Sequence, residues 1–208
     1  MDTESGQNVQ DYSAAWTVCL DLTSMYVPRR TASTGTRDRV LAAVRALLEE
    51  GAFHSSTVEQ VAERAGVSRA SLYQHFGSRL GLVDAMCEVF DRNPALVALR
   101  GTVELRAFCE QVVEFWATEE KVLVELYGVA AVDPAAAALV ERQTRDRHAE
   151  LRRLLRGLGA DDRHAFALLA VLTSFETYRE LRRRVGLSKA EVVRTIDEAA
   201  ARALIPPR

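Results

Sequence analysis

The sequence lacks any excess of positive charge. Its 208 residues include 27 lysines and arginines and 29 aspartates and glutamates, which gives a net charge of −2. A protein of this balance does not coat nucleic acid by bulk charge, so any contact with DNA must come from a local basic surface. Arginines suited to such a surface lie in the first half of the chain: Arg29, Arg30, Arg37, Arg39, Arg64, Arg69 and Arg79.

Long apolar runs and a cysteine framework are also missing. No run approaches the ~20 apolar residues that a membrane-spanning helix needs. The N-terminus has no basic region followed by an apolar stretch, which argues against a secretory signal. The three cysteines, Cys19, Cys87 and Cys109, are odd in number and match no motif, which favours a reducing compartment. We therefore expect a cytoplasmic protein with no membrane partner.

Residue patterns typical of enzymes are scarce. The four histidines (His54, His75, His148 and His164) lie far apart and lack a metal-ligand spacing. There is no glycine-rich phosphate loop and no nucleophile elbow. A redox-sensing role for Cys87 and Cys109 is the alternative to inert buried thiols, which we expect instead. The sequence therefore predicts no catalytic site, no metal and no cofactor.

Proline is rare, and no Val/Ile/Thr-rich alternating run indicates a strand, so the composition predicts an all-α fold. Helical spacing and capping residues predict nine helices, three in front and six behind. The first runs from about Thr36 to Glu50, and the fourth begins near Ser78 and stops at Asn93-Pro94. Thr102 is expected to cap the fifth, and Lys121–Ala131 is expected to be a short sixth helix. The last three are expected to begin at Asp133-Pro134, Asp161 and Ser188, ending near Gly157, Arg184 and Pro206.

Three regions follow from this pattern. Residues 36–80 hold the front three helices, and residues 81–205 form the six-helix body. Residues 1–35 are expected to be an N-terminal extension. Two interpretations of it stay open: the first two dozen residues are a genuine extra element, or the protein starts at Met25.

The segment from Thr57 to Gly77, TVEQVAERAGVSRASLYQHFG, predicts two short helices joined by a tight turn. Thr57 and Gln60 form a capping box, and Gly66 stands where the turn needs a left-handed residue. Ser68 is placed to cap the second helix, and Leu72 faces the core. The outward positions are then Arg69, Ala70, Ser71, Tyr73, Gln74 and His75, none of them acidic. From Arg64 to Val83 no carboxylate is present to repel phosphate.

This segment resembles the DNA-binding signature of the TetR family (TetR/AcrR) of bacterial transcriptional regulators. The close match covers about a quarter of the chain, Thr36 to Ala85. One departure is that Arg79 is followed by Leu80 and Gly81, where the family commonly has an acidic residue. The matching residues are Thr57, Val61, Ala62, Ala65, Gly66, Val67, Ser68, Ser71, Leu72, Tyr73, His75, Phe76, Ser78, Arg79 and Leu82.

The resemblance implies a sequence-specific regulator, a repressor released by a small molecule, which binds a near-palindromic double-stranded operator as a homodimer. The alternative is a DNA-binding dimer with no small-molecule effector, controlled by a protein partner or acting as an activator. The resemblance implies base contacts by Arg69, Ser71 and Gln74, with Ala70 allowing close approach. It implies contacts with the DNA phosphate backbone by Thr36, Thr57, Tyr73 and Arg79. Ser68 and His75 are the other residues that it implies bind DNA.

The effector, of unknown identity, is expected between the helices of the body. The apolar and aromatic residues predicted to line its pocket are Met86, Val89, Phe90, Phe108, Phe115, Trp116 and Tyr127. Plain core packing is the competing interpretation of each. Two apolar stripes near the C-terminus are expected to form the dimer interface: Leu168, Leu172 and Phe175, and Val192, Ile196 and Ala199. The competing interpretation is that both stripes cover the body's own helices.

Overall fold

The structure, a computed structural model, describes residues 30–160 and 162–204. Within these ranges the chain is all-α, as predicted. The helices are α1 (Arg30–Glu49), α2 (Val58–Arg64), α3 (Arg69–Phe76), α4 (Arg79–Phe90), α5 (Pro94–Leu99), α6 (Leu105–Ala130), α7 (Pro134–Gly157), α8 (Arg163–Leu172), α9 (Phe175–Arg179) and α10 (Lys189–Ala203). A π-helical turn, Glu180–Arg184, continues α9. None of these helices is long and apolar enough to cross a membrane.

The first helix begins earlier than predicted, at Arg30 rather than near Thr36, so part of the expected extension is helical. The rest of that extension, residues 1–29, lies outside the described residues. A further difference is α5, whose Asn93 N-cap and Pro94 restart the chain as a helix at the place where we predicted only a stop. Proline suits this first position because its missing N–H has no helical partner there.

The predicted break near Lys121 is wrong. Residues 105–130 form one helix, and Thr102 is not its cap: the N-cap position is Glu104. The polar stretch around Lys121 suggested a boundary, yet Glu119 is buried with its side chain only 5% exposed, paired with Arg45 of α1. The stretch around Lys121 contains no glycine or proline and is rich in good helix formers, so nothing in it ends the helix.

The predicted helix from Asp161 to Arg184 is interrupted. It stops at Leu172, and Ser174 caps a new helix by accepting a 3.2 Å hydrogen bond from the Thr177 N–H. Asp161 lies outside the described residues, and the N-cap of α8 is Asp162, which accepts from the N–H groups of His164 and Ala165. The last prediction is confirmed, because Ser188 and Glu191 form a full capping box at the start of α10.

Helix α6 lies at the centre of the body, where it packs against α1, α5, α7 and α10. The front helices α1–α3 enclose a core that includes Val44, Phe53 and Leu72, all fully buried. Helix α4 connects the two parts, since its first turns pack on α1 and α3 while it also lies along α7. Helices α1–α3 therefore form a small unit, called the head below, which packs against one side of a larger helical body.

Candidate nucleic-acid interface and ligand cavity

The helix-turn-helix forms as its capping residues predict. Thr57 accepts a hydrogen bond from the Gln60 N–H at 3.3 Å, and the Gln60 side chain accepts one from the Thr57 N–H at 2.8 Å. The turn passes through Gly66 at φ +63°, a backbone conformation that side chains with a Cβ rarely adopt. After the turn, the Ser68 hydroxyl accepts from the Ser71 N–H at 3.1 Å. Both helices therefore start at a side-chain cap and are separated by a fixed turn.

Helix α3 presents the predicted polar face. Leu72 and Phe76 are buried, and Gly77, at φ +69°, ends the helix. The remaining side chains fall on the outer side: Arg69, Ala70, Tyr73 and Gln74 are exposed, and Ser71 and His75 are half-buried. The predicted base-contact set is thus brought onto one face of one short helix.

A carboxylate that the sequence analysis missed contacts this face. Glu59 on α2 forms a 2.9 Å ion pair with Arg69, and the Arg69 guanidinium also lies 5.4 Å from the centre of the Tyr73 ring. Glu59 precedes the carboxylate-free stretch, so only the crossing of α2 and α3 brings it near. Both partners are exposed, and such surface pairs are weak, so Arg69 can exchange Glu59 for another acceptor at little cost.

Arg79, expected to contact the DNA backbone, is engaged inside the protein. Its guanidinium donates hydrogen bonds to the carbonyl oxygens of Phe53 and Ser56 and lies 4.2 Å from the centre of the Phe53 ring. Burial lowers the pKa of this guanidinium. The structure therefore gives Arg79 a structural role, in which it ties the start of α4 to the loop between α1 and α2.

The departure from the family pattern at Gly81 has a local reason. A Cβ added at Gly81 would lie 1.8 Å from the carbonyl oxygen of Phe76. Helix α4 thus approaches the end of α3 so closely that a side chain at this position would force the backbone apart. Thr36 and Thr57, also predicted to contact the backbone, lie on α1 and at the start of α2; Thr36 accepts a 3.4 Å hydrogen bond from Arg39.

The body encloses a cavity of about 300 Å³ between α4, α5, α6 and α7, called the central cavity below. Of the predicted pocket residues, Phe90, Phe115, Trp116 and Tyr127 line it. Met86, Val89 and Phe108 do not, because they pack into the surrounding core. The lining residues that the sequence analysis missed are Asp91, Leu96, Leu99, Arg100, Val112, Leu123, Leu126, Val140, Gln143, Thr144, Asp146, Arg147, Ala149 and Glu150.

The lining of the central cavity has an aromatic part, which includes Phe90, Phe115 and Trp116, and a polar part, which includes Thr144 and Arg147. The Phe90 and Phe115 rings meet edge to face at 5.8 Å, and Phe115 lies 5.0 Å from Trp116. The Trp116 indole N–H donates to the Thr173 carbonyl at 3.1 Å, which fixes that ring. Burial raises the pKa of the Tyr127 hydroxyl, which contacts the Thr144 side chain. A pocket of apolar walls with a few fixed polar groups is the usual form of a small-molecule site.

Part of the predicted dimer interface is wrong. Phe175, Val192 and Ile196 are buried within the chain's own core, where α10 packs on α6 and α8. A stripe on an amphipathic helix does not reveal which surface covers it, and here the body covers these three. Leu168 is exposed, while Leu172 and Ala199 are half-buried. Val171, which we did not select, is 65% exposed.

Polar contacts join the head to the body. Glu119 of α6 forms a 2.8 Å ion pair with Arg45 of α1 and accepts a 3.0 Å hydrogen bond from the Asn93 amide, which caps α5. His54, in the loop after α1, contacts Glu125 of α6 through its ring Nδ1 and its backbone N–H. The helix that lines the central cavity is therefore bound directly to the helix that supports the DNA-facing pair.

A comparison with family models matches residues 40–86 to the description "Bacterial regulatory proteins, tetR family". This match covers α2, α3 and parts of α1 and α4, so the chain resembles the TetR family over its helix-turn-helix region. The matched proteins are transcriptional regulators, which supports the expectation that the chain is not an enzyme.

Among curated relatives, this chain is 26% identical over 121 residues to the HTH-type transcriptional regulator UidR of Escherichia coli K12, covering 55% of this chain and 61% of that protein. The match thus spans less than two thirds of the relative. Among solved structures it resembles Salmonella enterica GusR, with a TM-score of 0.67, 22% identity and coverage of 81% and 95%. It also resembles NalD, the secondary repressor of the MexAB-OprM multidrug efflux pump in Pseudomonas aeruginosa (TM-score 0.62, 22% identity, coverage 83% and 96%). At these identities the structural likeness shows the shared fold.

Proposed function

We propose that this chain is a sequence-specific, DNA-binding transcriptional repressor that acts as a homodimer in the bacterial cytoplasm. A small molecule bound in the central cavity releases it from a near-palindromic operator. The observation that carries this proposal is the outer face of α3, where exposed Arg69, Ala70, Tyr73 and Gln74 stand on a helix fixed at both ends.

The chemistry of this face suits direct reading of base edges. Arg69 matches the acceptor pair of guanine, and Gln74 matches the donor and acceptor of adenine. Ser71 can pair with either base, while Ala70 admits close approach or touches a thymine methyl group. Tyr73, Thr36 and Thr57 are assigned to phosphates, which fix position without reading sequence. Arg79 is left out of the set because its donors are used inside the head.

Operator selection from a random DNA library, followed by titration of variants, tests this assignment. Arg69→Ala should cost about 1–3 kcal/mol of binding free energy on the selected site and relax specificity at one base pair. Tyr73→Phe should weaken binding to all sequences alike. Equal losses on selected and scrambled DNA for the arginine variant would contradict the assignment of Arg69 to a base.

The exposed apolar face of α8 supports the proposal that the protein forms a homodimer. Ala167, Leu168 and Val171 are exposed on one side of that helix, while its other side packs on α7 and α10. Two copies that bring these faces together would form a bundle of α8 and α10 from each chain. A dimer also supplies the second recognition helix that a single short helix needs for useful affinity.

A matched pair of variants tests the interface by sedimentation at micromolar concentration. Val171→Glu should give a monomer, since it places a charge in the centre of the apolar face. Val132→Glu is the control, because Val132 is 84% exposed in the turn between α6 and α7. A dimer that survives the Val171 change, or a wild-type monomer, would refute this interface.

The central cavity supports the proposal that a small molecule acts as the effector. Phe90, the last residue of α4, forms one wall, so a ligand there contacts the helix that leads into the head. Tilting α4 would change the separation of the two recognition helices, which the duplex fixes at about 34–36 Å or multiples. Such a ligand must bind the DNA-incompetent state more tightly, and by linkage DNA must weaken its binding equally.

Native mass spectrometry or a thermal-shift screen, followed by a DNA titration with each hit, tests this mechanism. Leu96→Trp should fill the cavity and abolish ligand binding. Val97→Trp, a neighbour that is 52% exposed and outside the cavity lining, should not. A ligand that binds the cavity yet leaves operator affinity unchanged would favour the alternative, a DNA-binding dimer controlled by a protein partner.

A further inference from the structure

The polar part of the central cavity lining contains a guanidinium that forms no ion pair with a carboxylate of the described residues. Arg147 of α7 lies at the cavity wall, and within the described residues no ion pair joins it to an aspartate or glutamate. Asp146 also lines the cavity, and Glu176 lies near enough to Arg147 to raise its pKa, but neither forms an ion pair with it. The other lining charges are paired. Asp91 pairs with Arg100 at 3.0 Å, and Glu150 pairs with Arg153 at 2.7 Å. Arg147 is thus the lining cation whose charge is not balanced by direct contact.

We propose that the effector carries a carboxylate on a compact apolar, ring-containing body, and that Arg147 binds this carboxylate. The proposal rests on the proposed function, because it names the class of ligand for the same cavity.

The hydrogen bonds of Arg147 leave donors for such a group. Its Nη1 donates to the Ala170 carbonyl at 3.2 Å and to the Thr173 hydroxyl at 2.8 Å, which uses both hydrogens. Its Nη2 donates to Nε2 of His148 at 3.2 Å. The Nε hydrogen and one Nη2 hydrogen have no acceptor among the described residues. A carboxylate has two oxygens that can accept from two guanidinium N–H groups at once.

The surroundings of Arg147 favour an anionic partner. Burial is the main effect that lowers the pKa of this guanidinium, and burial together with Arg147 also lowers the pKa of the neighbouring His148. The arginine stays charged, since its deprotonation is out of reach in proteins. Placing a charge away from water is costly unless a partner compensates it. The Ala170 carbonyl at the end of α8 and the nearby Glu176 compensate part of that cost, and a ligand carboxylate would add a direct charged partner.

The aromatic side chains of the lining define the rest of the molecule. Phe90, Phe115 and Trp116 supply three ring surfaces against which a flat apolar group can pack. A volume of about 300 Å³ is at the lower end for ligand sites, so it suits a body of one or two rings better than a long acyl chain. A cationic ligand would be repelled by Arg147, and a neutral one would leave it unpaired.

The competing account is that Arg147 only anchors the junction of α8 and α9. Isothermal titration of the full chain with matched probes separates the two. The probes are indole-3-acetate, indole-3-propionate and 4-phenylbutyrate, each compared with its primary amide. We expect at least one acid to bind about 10- to 100-fold more tightly than its amide, the range that a charge-assisted hydrogen bond supplies.

Three variants complete the experiment. Arg147→Met should remove the preference for the acid, and Arg147→Lys should keep part of it. Thr173→Val is the control: it removes an acceptor that Arg147 uses at the junction, and the preference should persist. If the methionine variant fails to fold, the test is the difference in affinity between acid and amide, measured for the wild type and for the lysine variant. Equal binding of acid and amide, an acid preference that survives Arg147→Met, or no binding of any acid at millimolar concentration overturns the proposal.

The same acids are then added to a DNA titration. An acid that binds through Arg147 and lowers operator affinity supports the ligand class and the effector mechanism together. An acid that binds through Arg147 but leaves DNA affinity unchanged supports the ligand class and counts against the effector mechanism.

Discussion

The inward orientation of Arg79 makes a prediction that separates a structural role from a DNA contact. The change is Arg79→Met, which keeps a long side chain and removes the charge and the donors. In the folded chain these donors reach the carbonyl oxygens of Phe53 and Ser56, and the guanidinium stacks on the Phe53 ring. The variant leaves both carbonyls without this partner at a partly buried position.

The expected loss follows from these contacts. A hydrogen bond with a charged partner contributes about 1.5–3 kcal/mol, and a cation–π contact adds about 1 kcal/mol. Part of this is recovered because water reaches the site, so we expect a loss of about 2–5 kcal/mol in the free energy of unfolding. For a chain of this length, each kcal/mol lowers Tm by about 2–4 °C. The expected decrease in Tm is therefore about 5–15 °C.

Two measurements at one fixed protein concentration check it: chemical unfolding, and the salt dependence of DNA binding at a temperature where the variant is folded. We expect lower stability and an unchanged slope of log K against log salt. Arg39→Met is the stability control, because Arg39 is exposed and makes only 3.4 Å hydrogen bonds. A slope reduced by about 0.9 with unchanged stability would mean that Arg79 neutralises a phosphate, and the structural argument would be refuted.

Three further predictions concern other sites. Glu59→Gln should strengthen binding to any DNA a few-fold, measured by titration, because it removes the carboxylate beside Arg69. Burial raises the pKa of Cys87 to about 11 and that of Cys109 to about 12, against 9.0 for a free thiol. Both thiols should therefore resist iodoacetamide at pH 8. The free energy of unfolding should fall as pH rises from 9 to 11, by about 1.4 kcal/mol per pH unit for each thiol, because the unfolded chain loses these protons first. Cys→Ala variants should show a smaller decrease. Glu119→Gln breaks the ion pair with Arg45, so it should lower the free energy of unfolding by about 1–3 kcal/mol and reduce the effect of any effector on DNA affinity. An unchanged effector response would argue against this ion pair as the connection between cavity and head.

Local features of the fold were readable from the sequence because their causes are local. The Thr57–Gln60 and Ser188–Glu191 capping boxes, and the positive φ at Gly66, each depend on residues within one turn. The exposed face of α3 followed from its spacing alone.

The errors arose where the deciding partner is distant in the chain. The burial of Glu119 within α6 depends on Arg45, which pairs with it across the fold. The role of Arg79 depends on backbone carbonyls, which carry no signature in the sequence. The buried positions of Val192 and Ile196 depend on which neighbour covers α10, and an amphipathic pattern is the same for either neighbour.

The single uninterrupted α6 has a consequence for how this protein can change. Its 26 residues span about 39 Å, and one helix carries Phe115 and Trp116 in the cavity wall together with Glu119 and Glu125 at the head. Selection for a new ligand at those aromatic positions would therefore also act on the helix that holds the head. Substitutions on α5, such as at Leu96 or Leu99, reach the same cavity and leave every residue of α6 unchanged. A laboratory search for altered ligand preference with an intact response should begin on α5.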